Sequence, residues 1–445
     1  MRAGAIIGGV LALAVVLGAT GTLLVAVLWP PAIALAPPGQ AAFDAARIVR
    51  GAQLASIGNC NVCHTRRDGR PYAGGRPIAT PFGTVYSSNI TPDPETGIGG
   101  WSEAAFVRAM REGVSRDGHH LYPAFPYDHM TKMRDADIRA VYAFVMTRRP
   151  MRGSMPPNAL AFPFNHRPLV AVWKLLFLDR GALKQDPGRG AEWNEGAYLV
   201  EGLGHCGACH TPRNALGAER TKEAFAGGSS DGWVAPALDA ASPTPVPWDA
   251  EGLYRYLRGN AQSLHGVAAG PMAPVASNLA DVPDADLRAI ATYAASLAGI
   301  PRHERQVDAE RALAQGRGSA GSRDETSDGA AIYAGACAQC HGGAGREPLI
   351  PALDLALSSV LRLPRPDNAL HILRQGIAPV DDAAGPFMPP FAGVLTGAQT
   401  IALLDYVRSH FAGRPSWAGL AQAVRAGQKD RIEANGRIGN ARRQP

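Results

Sequence analysis

The sequence predicts an all-α chain in which one small helical unit occurs three times in tandem behind an N-terminal membrane-spanning helix. Three observations carry that prediction. A five-residue pattern recurs, as Cys60-Asn61-Val62-Cys63-His64, Cys206-Gly207-Ala208-Cys209-His210 and Cys337-Ala338-Gln339-Cys340-His341. Around each copy the elements come in one order: helix, pattern, Gly/Pro-rich loop, helix, loop, helix. And residues 4–29 carry no charge, with only Arg2 before them.

The pattern C-x-x-C-H is the attachment sequence for a c-type haem. Two thiols three positions apart share one face of a helical turn, where both can add to the vinyl groups of one porphyrin. The next imidazole then reaches the iron from the same side. The chain has six cysteines and the three copies use all of them. A disulfide framework would scatter its cysteines, and a chain of 445 residues needs no stapling. A zinc site would bring two C-x-x-C knuckles together, but these are far apart in sequence. A thioredoxin-type motif would not recur three times with His following each time. Cys60, Cys63, Cys206, Cys209, Cys337 and Cys340 are therefore read as holding three haems c. His64, His210 and His341 are read as their proximal iron ligands.

In chain order, the first unit covers 41–150. A helix over 43–57 leads into Cys60, a second begins at Trp101-Ser102-Glu103, and a third spans 135–146 with Ile138, Val141, Tyr142 and Val145 inward. The second unit covers 191–300, with helices over 195–202, 248–258 and 284–297. The third covers 327–412, with helices over 328–336, 366–376 and 397–410. Each closing helix carries an aromatic near its end, placed to pack on the leading helix or the haem edge. Residues 151–190 read as a linker with one short apolar helix near 168–178, too short to span a bilayer. Residues 301–326 read as a charged, Gly/Ser-rich linker, and 413–445 as a basic, solvated tail.

An iron held by one His takes a second axial group, and Met there raises the potential relative to a second His. The loop before each closing helix should supply it. Met388, in Phe387-Met388-Pro389-Pro390-Phe391, and Met272, in Gly270-Pro271-Met272-Ala273-Pro274, occupy those loops. In the first unit the equivalent position falls on Phe125. Met130 is the first choice there and His129 the alternative, with Met133 capping the closing helix. His205, His265 and His371 have no ligand context.

The first thirty residues set the expected address. A helix over 4–29, at about 1.5 Å per residue, exceeds a bilayer's apolar core, and it is longer than a typical cleaved signal. Ala34-Leu35-Ala36 mimics a cleavage site, but Pro37 and Pro38 follow it. The expectation is a single-pass anchor in the cell inner membrane with the rest of the chain on the periplasmic side. With 51 glycines, 36 prolines and 18% charged residues, the chain describes loop-rich domains whose cores a haem helps to fill. A net charge of +6 without basic-aromatic interleaving gives no case for nucleic acid.

With these residues in view, the chain resembles the triheme cytochrome c subunit of membrane-bound bacterial dehydrogenases. That family serves alcohol, gluconate, sorbitol and fructose dehydrogenases and some molybdenum-dependent aldehyde or N-heterocycle oxidoreductases. The resemblance runs from residue 41 to about 410 and is most specific over 84–93, 121–127 and 202–214. The run Phe162-Pro163-Phe164-Asn165-His166-Arg167-Pro168-Leu169-Val170-Ala171 looks most like members paired with molybdenum enzymes. Phe125 and the N-terminal anchor depart from the family pattern. The resemblance implies three class I-like cytochrome c domains in an electron-transfer subunit that makes and breaks no substrate bond. It also implies a catalytic dehydrogenase partner (a molybdenum enzyme, quinoprotein or flavoprotein) and ubiquinone as acceptor. Two other readings are a freestanding membrane-anchored multihaem carrier and a haem peroxidase with an open distal site, which Met272 and Met388 argue against.

Overall fold

The computed structural model describes residues 25–39, 43–299, 307–308, 310–314, 326–343, 346–378 and 388–427. The described residues are mostly helical, with two small antiparallel sheets. They form two compact units. The first runs to Asp186 and takes in Glu201–His205 and Ala215–Ala218; the second comprises Pro187–Val200, Cys206–Asn214 and the chain from Glu219 onward.

In the first unit Asp44 accepts from the Arg47 N–H and starts helix α1 (Ala45–Ile57). The first cysteine pattern forms α2 (Cys60–His64). Strands β1 (Pro77–Thr80) and β2 (Gly83–Tyr86) make a hairpin. Ser102 caps α3 (Glu103–Glu112), and Gly113, at φ 59°, ends it. Helices α4 (Tyr127–Met130) and α5 (Asp135–Met146) follow. Leu54, Ile57, Tyr127, Met133, Ile138, Val141 and Tyr142 are the fully buried centre. The segment read as a linker belongs to this unit: β3 (Ala159–Leu160) pairs with β2, and α6 (Leu169–Phe177) buries Val170, Ala171 and Lys174.

The second unit opens with α7 (Ala191–Glu201), all but its last residue, then α8 (Gly207–His210) and a hairpin of β4 (Gly228–Ser230) and β5 (Trp233–Ala235). Helices α9 (Ala250–Leu257), α10 (Met272–Leu279) and α11 (Asp284–Ser296) follow. Next come α12 (Asp328–Ala336), α13 (Ala338–His341), α14 (Asp367–Gln375) and α15 (Gly397–Ala412), the last with a full capping box at Thr396 and Gln399. Tyr333, Leu370, Leu373, Leu403, Leu404, Val407 and Phe411 form the core of this last group. Trp417, Leu420 and Val424, read as the start of a solvated tail, are buried in the same core. The Trp417 indole N–H donates to the Leu363 carbonyl at 2.8 Å. Residues 428–445 of that tail and most of 301–326 lie outside the described residues.

One crossing recurs three times. A β-carbon on Gly51 of α1 would stand 2.0 Å from the Ala140 carbonyl oxygen of α5; on Gly196 of α7, 1.9 Å from Ala289 of α11; on Gly329 of α12, 2.2 Å from Ala402 of α15. The same point meets the β-carbon of Phe144, Tyr293 or Tyr406 at 2.7–2.8 Å. Each leading helix thus touches its closing helix backbone to backbone, and only glycine permits it. The closing-helix aromatics pack against this crossing.

The expected single-pass anchor over 4–29, and the inner-membrane address drawn from it, are corrected. Among the described residues no helix is long and apolar enough to cross a membrane. Residues 4–24 of that span lie outside the described residues, and 25–28 form a helical turn that ends at Trp29. Pro30 and Pro31 cannot continue it. The chain then runs extended along the first unit, with the Ile33 N–H donating to the Arg116 carbonyl at 2.7 Å and Ala36 to Gly100 at 3.2 Å.

A buried cation ties this segment down. Lys174 is 4% exposed. Its ammonium donates to the Gly113 carbonyl at 2.6 Å and to His120 Nδ1 at 3.0 Å, and it faces the Tyr127 ring. His120 Nε2–H in turn donates to the Val27 carbonyl at 3.0 Å. These hydrogen-bonding partners are neutral, and burial pushes the Lys174 pKa down to about 7.

Two outcomes follow for stability. Gly329→Val should lower the free energy of unfolding by about 1–3 kcal/mol through overpacking. Gly335→Ala, on the same helix with open space around it, should raise it by roughly 0.5–1 kcal/mol; denaturant titration followed by circular dichroism compares them. For Lys174, the unfolded chain keeps a proton that the folded chain releases between pH of about 7 and 10.5. Stability therefore rises with pH across that window, and the gain is fully lost once pH falls through 7. Lys174→Met should flatten the rise, measured as the difference between unfolding curves at the two ends of the window.

Candidate functional site

Each cysteine pattern is one tight helical turn: Cys60–His64 is α2, and Cys206 and Cys337 stand at the N-caps of α8 and α13. Left-handed backbone at Asn59 (φ 51°) and His205 (φ 38°) turns the chain out of the leading helix just before the first cysteine of two copies. None of the six thiols is in a disulfide; Cys340 is exposed and the other five are half-buried. Burial, with the neighbouring cysteine adding to it, pushes Cys60 and Cys206 up to about 12 and Cys337 up to about 11. Those three thiols therefore hold their protons at neutral pH.

The three histidines share one further feature. Nδ1 of His64 lies 2.7 Å from the Ser88 carbonyl, Nδ1 of His210 lies 2.7 Å from Pro236, and Nδ1 of His341 lies 2.8 Å from Leu353. A carbonyl can only accept, so Nδ1 carries the hydrogen and Nε2 keeps its lone pair. That is how a protein fixes the tautomer and aim of a metal-binding imidazole. Burial also lowers the pKa of His64 and His210, which holds them neutral. The loops that bring the carbonyls into place are anchored alike. The Gly74 N–H donates to the His64 carbonyl at 2.7 Å and Gly227 to His210 at 2.8 Å, both glycines at positive φ. Thr65 and Thr211 each accept a backbone N–H, from Tyr72 and Phe225, at 3.1 Å. Two thiols and one imidazole Nε2 per turn match what a haem c requires on its proximal side.

The proposed distal groups sit differently. Met388 is half-buried, and its backbone exchanges two hydrogen bonds with Ile377 at 2.8 and 2.9 Å. It packs on the same core as Cys337. Gly376, at φ 72°, makes that approach possible, because a β-carbon there would lie 2.2 Å from the Met388 carbonyl. Met272 is half-buried at the first position of α10. In the first unit Met130 and Met133 are both buried, and so is His129, whose Nδ1 contacts the Glu201 carbonyl at 2.7 Å. Phe125 is half-buried. His205 contacts the Gly58 carbonyl, His265 stacks on Trp248, and His371 stacks on Trp233.

Sequence reasoning missed the carbonyls of Ser88, Pro236 and Leu353, since a backbone acceptor requires no particular side chain. It also missed the crossing glycines, which did carry a signal: each lies eight to ten positions before the first cysteine of its pattern.

Comparison with known proteins finds cytochrome c relatives. Residues 48–149 match the cytochrome c family, and residues 324–407 match subunit III of cbb3-type cytochrome c oxidase. The chain is 35% identical over 417 residues to the fructose dehydrogenase cytochrome subunit of Gluconobacter japonicus, covering 88% of this chain and 85% of that one. It is 33% identical to the gluconate 2-dehydrogenase cytochrome c subunit of Pantoea cypripedii, covering 85% and 87%. It is 48% identical over 408 residues to a nicotinate dehydrogenase subunit of Pseudomonas putida, covering 91% of this chain and 34% of that protein. The chain therefore spans about a third of the length of that relative.

Proposed function

The chain belongs to the family of cytochrome c subunits of dehydrogenases, and from that premise we propose that it carries three covalent haems c and passes electrons from a catalytic dehydrogenase subunit to ubiquinone. Its cytochrome c domains imply covalently bound haem c. The observation that supports three is the threefold recurrence of one arrangement: a C-x-x-C turn followed by an imidazole whose Nδ1 is committed to a backbone carbonyl.

Bound haem supplies one-electron cycling of its iron between Fe(III) and Fe(II). Cys60 and Cys63, Cys206 and Cys209, and Cys337 and Cys340 hold the three porphyrins as thioethers. His64, His210 and His341 present Nε2 to the irons. Met272 and Met388 would supply sulfur to the second and third irons, which would favour the reduced state relative to a second imidazole. Met130 takes that role at the first, with His129 as the alternative. The glycine-permitted helix crossings keep each attachment turn fixed, so little has to move when the charge on the iron changes.

The partner we propose is a molybdenum dehydrogenase acting on an N-heteroaromatic substrate of the nicotinate kind. The 48% identity to a subunit of nicotinate dehydrogenase supports this, as does the run 162–171. Purified with its partner and given that substrate without oxygen, the chain should show reduced haem bands that a short-chain ubiquinone reverses. Haems that stay oxidised beside an active partner would exclude the role.

The axial assignments are read separately by near-infrared magnetic circular dichroism. Met272→Ala and Met388→Ala should each remove one sulfur-to-iron band and open one haem to carbon monoxide. Met130→Ala should do the same at the first haem, and spectra unchanged by these substitutions would refute the assignments.

A further inference from the structure

Asn368 is 7% exposed and lies on α14, yet its side chain serves β5. Its Oδ1 accepts the Val234 N–H at 2.7 Å, and its Nδ2 donates to the Val234 carbonyl at 2.9 Å. The amide thus completes the edge of a strand as a partner strand would. One turn along α14, the His371 ring stacks on Trp233 at 4.9 Å and 19°. Two adjacent residues of β5 are therefore held by two residues on one face of α14.

Both ends of this contact reach iron-ligand candidates. On the β5 side, Pro236 follows Val234 by two positions, and its carbonyl fixes His210 Nδ1. The Trp233 ring also lies against Gly270, where a β-carbon would come within 2.5 Å of it, two residues before Met272. So β5 touches the loops of both axial groups proposed for the second haem. On the α14 side, Ala369, Leu370 and Leu373 face the core on which Cys337 and Met388 pack. The Leu373 carbonyl accepts the Phe391 N–H at 2.8 Å, which holds the loop after Met388.

We infer that the β5–α14 contact, held by Asn368 and bridged by the Trp233–His371 ring stack, is the passage for electrons between the second and third haems. This rests on the three-haem reading above. In the step, one electron leaves the second iron as it goes from Fe(II) to Fe(III) and arrives at the third as that goes from Fe(III) to Fe(II). No bond forms or breaks. Electron tunnelling falls steeply with separation, so a contact that fixes the spacing of two sites sets the rate. Asn368 and Trp233 act as positioning residues. A buried amide that satisfies both polar groups of one strand residue is costly to replace, because its loss leaves two backbone groups unpaired.

The test is laser-flash photoreduction of the three-haem protein, following re-equilibration between the second and third haems, with the third marked in every sample by Met388→His. Asn368→Leu removes both hydrogen bonds at similar volume, Trp233→Leu removes the stack, and Trp233→Phe keeps a ring. The rate should fall roughly tenfold or more in the two leucine variants, as expected for a small misplacement of reacting centres, and stay within about twofold in the phenylalanine variant. The midpoint potentials of both haems should not move. Rates unchanged in both leucine variants, or slowing accounted for by shifted potentials, overturn the inference. Haem content on the same samples reports on the proposed function by itself: fewer than three per chain would break that reading whatever the rate.

Discussion

The contact on which this molecule depends is a peptide carbonyl of each closing helix seated where a leading-helix side chain would otherwise stand. At Gly51, Gly196 and Gly329 any β-carbon would collide with the backbone of Ala140, Ala289 or Ala402. Helices that normally keep axes 8–10 Å apart through side chains can approach more closely when one contributes none. The result is a direct backbone contact between each leading helix and its closing helix, a short way before each attachment turn.

The first attachment turn has little packing of its own. Among Cys60–His64 no residue is fully buried. Its geometry comes from the leading helix on one side and from loop carbonyls on the other. Ser88, Pro236 and Leu353 reach their histidines through loops of different length and sequence, yet each ends on Nδ1 at 2.7–2.8 Å. Three unlike loops reaching one hydrogen bond point to the imidazole orientation as the quantity the fold keeps constant from copy to copy of the pattern.

The long helices were legible from apolar spacing. The expected helix over 135–146 is α5, and that over 328–336 is α12; Ser102, Asp249, Ser327 and Thr396 cap as their side chains allow. The strands were not legible, since runs of two to four residues are too short for a period-two pattern to stand out. Residues 151–190 read as a linker with one short apolar helix, whereas that helix buries Val170 and Ala171 and its Lys174 finds two acceptors in the interior. Trp417, Leu420 and Val424 keep a helical spacing that their basic neighbours hid. The attachment pattern was plain in the residues because its chemistry needs side chains. Its supporting carbonyls were hidden because backbone can supply them from any sequence, and His371 looked idle because its stacking partner, Trp233, is far away in the chain.

On the proposed function, this polypeptide bears three porphyrins through six thioether bonds. The most direct test is the intact mass of the chain under fully denaturing conditions, after non-covalent ligands have been stripped. The expected value is the polypeptide mass plus three haems, with no thiol left to alkylate. A bare mass, or one carrying fewer haems with reactive thiols at Cys60, Cys206 or Cys337, would contradict it.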